Sequence, residues 1–236
     1  MKALISALFL ILLFQSHNPS AATLSSEHMW PQNSLLNVVF LDGNKDHKAL
    51  VQSIADQWLS NTNLSFKFFL SAGDAPAKTH IRISFKSHSG SQLGNQKNLL
   101  SKEPTMNLFD LTSRQISNSG ARRLILHEFG HALGFEHEFR NPNWPYKIEV
   151  LFEVVKQCIP KMERMGYSIV KAKSHCDEIN RKLEANKTLS TAYDQNSIMN
   201  YALEFVGEKG NPVKIKANSE LSYLDKYAIQ KWYPKN

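Results

Sequence analysis

His127-Glu128-Phe129-Gly130-His131-Ala132-Leu133-Gly134-Phe135-Glu136-His137 is the stretch on which the reading of this chain turns. Two histidines four positions apart on a helix stand one turn apart on one face, so both imidazoles can reach a single ion. Zn–N bonds of about 2.0–2.1 Å suit that spacing. Glu128 adjoins the first histidine and is placed to take a proton from a water activated by the metal. Gly134 allows the helix to end, because glycine accepts the left-handed conformation of helix termini. His137, three residues later, then completes a set of three protein ligands and leaves a fourth position open, as catalytic zinc requires. The competing reading is two unrelated histidines on an amphipathic helix. Five specified residues within eleven positions arise by chance in on the order of one window in ten million.

Working outward, Ser119 can cap this helix, whose apolar positions are Leu124, Ile125, Ala132 and Leu133. Upstream, Asn37–Leu41, Leu64–Leu70 and His80–Phe85 read as strands, the last with Ile81, Ile83 and Phe85 on one face. Between the first two, Asp46 can cap a helix carrying Leu50, Val51, Ile54, Trp58 and Leu59. Gly90–Gln96 has loop character, and Thr105–Leu111 suits a further strand. Downstream, Lys147–Ile159 and much of Ser168–Glu184 suit helices, and Asp194–Tyr201 a turn. Ser222 with Asp225 resembles a capping box opening a last helix to about Trp232. Strands first, a central helix, then a helical and irregular second half predict an α+β domain with two lobes around a cleft. Asp42, Asn44 and Asp46 alternate as in a calcium loop, but His47 and Ser53 occupy the positions that need Gly and Glu, so a turn is expected there.

The 236 residues suffice for one sizeable core. With 42% hydrophobic and 21% charged residues, the composition is that of a globular protein. The net charge of +7 comes from scattered Lys and Arg. A solvated basic surface explains it better than a nucleic-acid site, for which no motif is visible. Met1 and Lys2 precede an apolar run from Ala3 to Phe14, and small residues follow at Ser20-Ala21-Ala22. This is the pattern of a signal peptide, residues 1–22, cleaved before Thr23 and leaving residues 23–236 as one catalytic domain in the periplasm or outside the cell. The run is too short to span a bilayer comfortably. Cys158 and Cys176 match no zinc motif; in an exported chain they can pair, or stay free. Asn63-Leu64-Ser65 and Asn186-Lys187-Thr188 are glycosylation sequons. His17, His28, His47, His80, His88 and His175 show no ligand spacing.

Ser197-Ile198-Met199-Asn200-Tyr201, downstream of the long histidine motif, looks like the methionine turn of metzincins, with Met199 as an apolar floor under the imidazoles. With both motifs present, the chain resembles the astacin-type metzincins, particularly compact bacterial-type members. Gly134-Phe135 before His137-Glu138 is similar in detail. So are Pro104-Thr105-Met106-Asn107-Leu108 before the helix, and Leu221-Ser222, Asp225-Lys226 and Tyr233-Pro234 at the end.

The resemblance implies a twisted mixed sheet with two helices above it, a substrate cleft and a looser lower lobe. It implies endoproteolysis of extended peptides. Separately, a zinc-dependent monomer acting on protein or peptide substrates is expected, with no nucleic-acid partner and no stable membrane insertion after signal removal. The resemblance also implies that Tyr201 is a movable additional zinc ligand able to stabilise the tetrahedral intermediate, and that Glu138 is a buried carboxylate meeting the mature N-terminus. Asn200, where many astacins have His, the position of the cysteine pair and the absence of an accessory domain depart from the pattern. A zinc-binding interaction protein without catalysis is the alternative in a different class; the presence of Glu128 speaks against it.

Overall fold

The computed structural model describes residues 22–113, 116–146, 158–160, 162–164, 166–179, 183–190, 192–207 and 210–235. The expected signal segment, apart from Ala22, and most of the expected helix at 147–159 lie outside them.

Three strands build the middle of the upper lobe: β2 (Leu35–Phe40), β3 (Ser65–Phe69) and β4 (Ile81–Ser84). β1 (Thr23–Ser25) precedes them as a separate short strand. β2, β3 and β4 each lie within a residue or two of their expected places, whereas β1 was not expected. β2 pairs in parallel with both β3 and β4, because the connections between them cross over rather than turn back. The first connection contains α1 (Lys45–Ala55). β5 (Gly90–Ser91) and β6 (Met106–Asn107) complete a five-stranded sheet in the order β3-β2-β4-β6-β5, with only the edge strand β5 antiparallel. Thr105–Leu111 is thus a strand for two residues only; the chain then turns into α2 (Asp110–Ser113). Arg82 and Ser84 are as buried as Ile81 and Ile83, so alternation along β4 separates two covered faces rather than a wet and a dry one. Arg82 is accommodated by donating to the backbone carbonyls of Thr79 and Glu103.

The long helix α3 (Asn118–Ala132) packs with α1 against the sheet. Its cap is Ser117, whose hydroxyl accepts the Gly120 N–H at 3.1 Å, rather than Ser119. Similarly Asn44, not Asp46, caps α1 by accepting the His47 N–H at 2.8 Å. In both cases the capping residue is the last one in extended backbone, and the rejected candidate already lies inside the first turn. The core between these layers includes Trp58, Phe129, Phe135 and Tyr233, all fully buried. Trp58 donates its indole N–H to the Leu126 carbonyl at 2.9 Å, so the ring buries its apolar area without stranding a donor.

The lower lobe has its own smaller core around Phe139, Trp144, Cys176, Leu203 and Ile215. α4 (Ile169–Ile179) lies where a helix was expected, and Cys158 and Cys176 form a disulfide that ties it to the preceding segment. The lower lobe also holds strands that the helical reading missed: β7 (Thr188–Ser190), which pairs with β1, and the hairpin β8 (Leu203–Val206)/β9 (Pro212–Ile215). α5 (Tyr223–Trp232) closes the chain and opens with the expected Ser222–Asp225 capping box. No described helix is long and apolar enough to cross a membrane.

Candidate metal centre

α3 carries His127, Glu128 and His131 on its buried side and ends where Gly134 takes φ +99°. That turn sends the chain back, and His137 arrives opposite the helix. One ligand atom from each of the three histidines lies within 4.8 Å of the others. The Nε2 atoms of His127 and His131 stand 3.2 and 3.1 Å from Nε2 of His137. Nδ1 of His127 faces the Ile198 carbonyl at 2.9 Å, and Nδ1 of His131 faces the Phe135 carbonyl at 2.8 Å. A carbonyl only accepts, so both Nδ1 atoms carry protons and both Nε2 atoms present lone pairs. His137 has at most one Nε2 proton and cannot serve both neighbours. Three nitrogens so arranged fit a cation: tetrahedral Zn–N bonds of about 2.05 Å separate ligand nitrogens by about 3.3 Å.

Electrostatics favours the same state. Burial lowers the His127 pKa to about 3, with His131 adding to the shift and the Ile198 hydrogen bond opposing it. Burial likewise lowers His131 to about 4, against its bond to Phe135. Both rings are therefore neutral, as ligands must be. Burial raises Glu128 to about 8; Arg123 opposes this and Asp110 adds to it. Its Oε2 is enclosed without a hydrogen-bond partner.

The residues singled out in the sequence converge. Met199 lies fully buried beneath α3, and Gly130 is what lets it approach: a Cβ there would run into the Met199 sulfur and reach 3.0 Å from Trp58. Tyr201 packs its ring against His137, centroids 4.5 Å apart, and lies 5.8 Å from His127. Glu138 is fully buried. Its Oε1 accepts from Asn141 at 2.8 Å and from the Asp194 N–H at 3.0 Å, while Oε2 has no partner. Burial raises its pKa to about 8 against those two bonds. β1 passes directly beside this segment: the Thr23 carbonyl accepts the Glu136 N–H at 2.8 Å, and Ser25 N–H donates to the Gly134 carbonyl at 3.0 Å.

Two residues escaped the sequence reading. Arg123 stands one turn before His127, and its charge is felt by both Glu128 and Tyr201. Its position four residues before a ligand was the available signal. Asp225, read only as part of a cap, also reaches the methionine turn.

No family model and no curated protein matches the sequence. Solved structures do match. A structure of myroilysin superposes with a TM-score of 0.72 at 28% identity, covering 91% of this chain and 99% of the other. A second myroilysin structure gives 0.59 at 28% identity, over 88% and 86% of the two chains. High choriolytic enzyme 1, a hatching-enzyme zinc protease from the medaka fish Oryzias latipes, shares the fold with a TM-score of 0.53 at 20% identity, over 89% and 96%. The chain thus has the fold of myroilysin and of high choriolytic enzyme 1, with His127, His131 and His137 grouped so that they could hold a metal ion.

Proposed function

We propose that residues 23–236, released by removal of residues 1–22 during export, form a single monomeric zinc endopeptidase domain that hydrolyses peptide bonds in extended protein substrates. The observation that carries this reading is the convergence of three imidazole Nε2 atoms whose Nδ1 protons are already committed to carbonyls, beside a buried carboxyl with an unpartnered oxygen. His127, His131 and His137 hold the metal. Zinc bound there supplies a Lewis acid and lowers the pKa of water to about 7.

Glu128 takes the proton of the attacking water and passes it to the leaving amine, as base and then acid. A neighbouring dication favours its ionised form and so offsets the burial that raises its pKa. Tyr201, packed against His137, is placed to donate its phenolic proton to the developing oxyanion. The substrate backbone adds to the sheet edge at Gly90–Ser91, since β5 is an outer strand next to α3. The solved structures with the same fold support the reading, because one of them is a zinc protease.

Glu138 is the partner of the mature N-terminal amine. Thr23 already runs beside residues 134–136, and Glu138 Oε2 lacks a donor. The ammonium created by cleavage before Thr23 supplies one.

The direct test is digestion of an unstructured protein by zinc-loaded residues 23–236, with Glu128→Ala at equal zinc content. Cleavage by the parent and a loss of about a hundredfold or more in the variant are expected. Equal cleavage by both would remove Glu128 from the mechanism. Tight zinc binding with no cleavage of any substrate would leave a zinc-binding protein that is not an enzyme.

A further inference from the structure

The two helical ligands are oriented in different ways. The carbonyl that holds His131 belongs to Phe135, in the turn that ends the same helix, and so comes with the helix terminus. The carbonyl that holds His127 belongs to Ile198, 71 residues away, and must be brought to α3 and kept there. The turn that contains it is short, and its internal backbone–backbone bonds are long: Ser197 N–H to the Asp194 carbonyl and Asn200 N–H to the Ser197 carbonyl are both 3.2 Å.

Asp225 grips this turn from α5. Its Oδ1 accepts the Ser197 hydroxyl at 2.7 Å, and its Oδ2 accepts the Ile198 N–H at 2.8 Å. The same Oδ2 accepts the Ser222 N–H at 2.9 Å, which is the only one of the three bonds that capping requires. The Ser197 hydroxyl oxygen in turn accepts the Met199 N–H at 3.0 Å. Asp225 is fully buried, unlike an ordinary capping carboxylate on a helix surface. Burying a carboxylate is costly unless donors surround it, and here three do.

We propose that Asp225 is a positioning residue of the zinc centre, whose carboxylate clamps Ser197 and Ile198 so that the Ile198 carbonyl aims His127 Nε2 at the metal. The inference rests on the zinc reading above. Partners of metal-ligating histidines typically contribute 10–100-fold to metal affinity. Asp225 acts through one further bond, so the lower end of that range applies.

The test uses the protein with and without zinc, and three variants. D225A leaves two N–H groups without an acceptor. D225N can keep its amide oxygen on both N–H groups, but its amide nitrogen cannot accept the Ser197 hydroxyl proton, so it loses one of the two bonds to the turn. S222A breaks the cap of α5 but leaves the clamp on the turn. Zinc dissociation constants are measured by chelator competition, the ligand field by the absorption of the Co2+-substituted proteins, and the fold by circular dichroism and urea unfolding without metal.

We expect about tenfold weaker zinc binding and an altered Co2+ spectrum in D225A, a smaller loss in D225N, and parental affinity in S222A despite its lower stability. Zinc affinity in D225A equal to the parent, or falling equally in D225A and S222A, would overturn the proposal. If D225A does not fold, D225N decides: weaker zinc binding at unchanged helicity supports the clamp, and unchanged binding overturns it. Failure of the parent to bind zinc would instead remove the metal reading itself.

Discussion

Gly130 illustrates how a residue with no chemistry of its own can shape a metal site. It lies between Glu128 and His131, and the space a methyl group would take is filled by the Met199 sulfur. Gly130→Ala therefore forces the methionine turn away from the helix, and with it the Ile198 carbonyl that orients His127. Overpacking of this kind costs about 1–3 kcal/mol. Urea unfolding of the metal-free protein should show that loss, and chelator competition should show weaker zinc binding as well; a variant as stable as the parent would mean that the turn yields freely.

Asp225 makes a different prediction, in pH. Burial raises its pKa from 3.8 to about 6, against its bonds to Ile198, Ser197 and Ser222. The folded state thus keeps this proton over a range in which the unfolded state has released it. Stability falls with rising pH where the native state binds more protons, so the stability of the parent relative to D225N should fall between about pH 4 and 6, by on the order of 3 kcal/mol, and level off above. Histidine titration is common to both proteins and cancels in the difference. A difference that rises over this window would contradict the assignment.

At the scale of elements, what could be read in advance followed from length and period. β2, β3, α1, α3 and α5 are long enough for an apolar pattern to repeat, the pattern of β4 runs on to the buried Phe85, and each lies near its expected place. The metal site was legible for the same reason: its residues are close in sequence and their spacing matches the helix. The hairpin β8/β9 has four residues per strand and buries only Leu203 and Ile215 at its base, so its alternation barely rises above chance. β7 depends on a partner, β1, more than 160 residues away, which no local pattern reports. Asp225's second role was hidden similarly, since its partners on the turn lie 27 and 28 residues off.

Caps were expected two residues too late because Asn44 and Asp46, or Ser117 and Ser119, are chemically equivalent candidates. Backbone conformation decides between them, and Asn44 is extended at φ −82°, ψ 170°. Asn44→Ala should cost about 1 kcal/mol in urea unfolding. Asp46→Ala removes only a favourable charge from the first turn and should cost a few tenths to 1 kcal/mol. The reverse ranking would restore Asp46 as the cap.

On the scale of the whole molecule, the two lobes are joined around the metal centre by their ends as well as by the chain between them. β1 at the start pairs with β7 of the lower lobe and touches the end of α3 through Ser25 and Gly134. Trp30 donates its indole N–H to the Ala132 carbonyl at 2.8 Å and its backbone N–H to the Tyr233 hydroxyl at 3.1 Å, so both termini grip the same helix end. An N-terminus created at Thr23, as proposed, would be suited to report on its own processing. Ala22 and Thr23 are buried, and the free oxygen of Glu138 lies two residues beyond the Glu136 N–H that Thr23 holds. Before cleavage the peptide at this point has no charge to offer, and a buried carboxyl must stay protonated or unpaired. On the proposed processing, cleavage before Thr23 would create an ammonium to face it. Removing one partner of such a buried pair costs about 3–5 kcal/mol, because the other charge is stranded. Carbamylation of the amine of residues 23–236 should therefore destabilise the parent far more than Glu138→Gln, in which the carboxylate is already gone. A double-mutant cycle in urea, with the four zinc-loaded proteins, measures the coupling; several kcal/mol is expected. Additive losses would show that the amine and Glu138 do not meet, and that export leaves the site as it was.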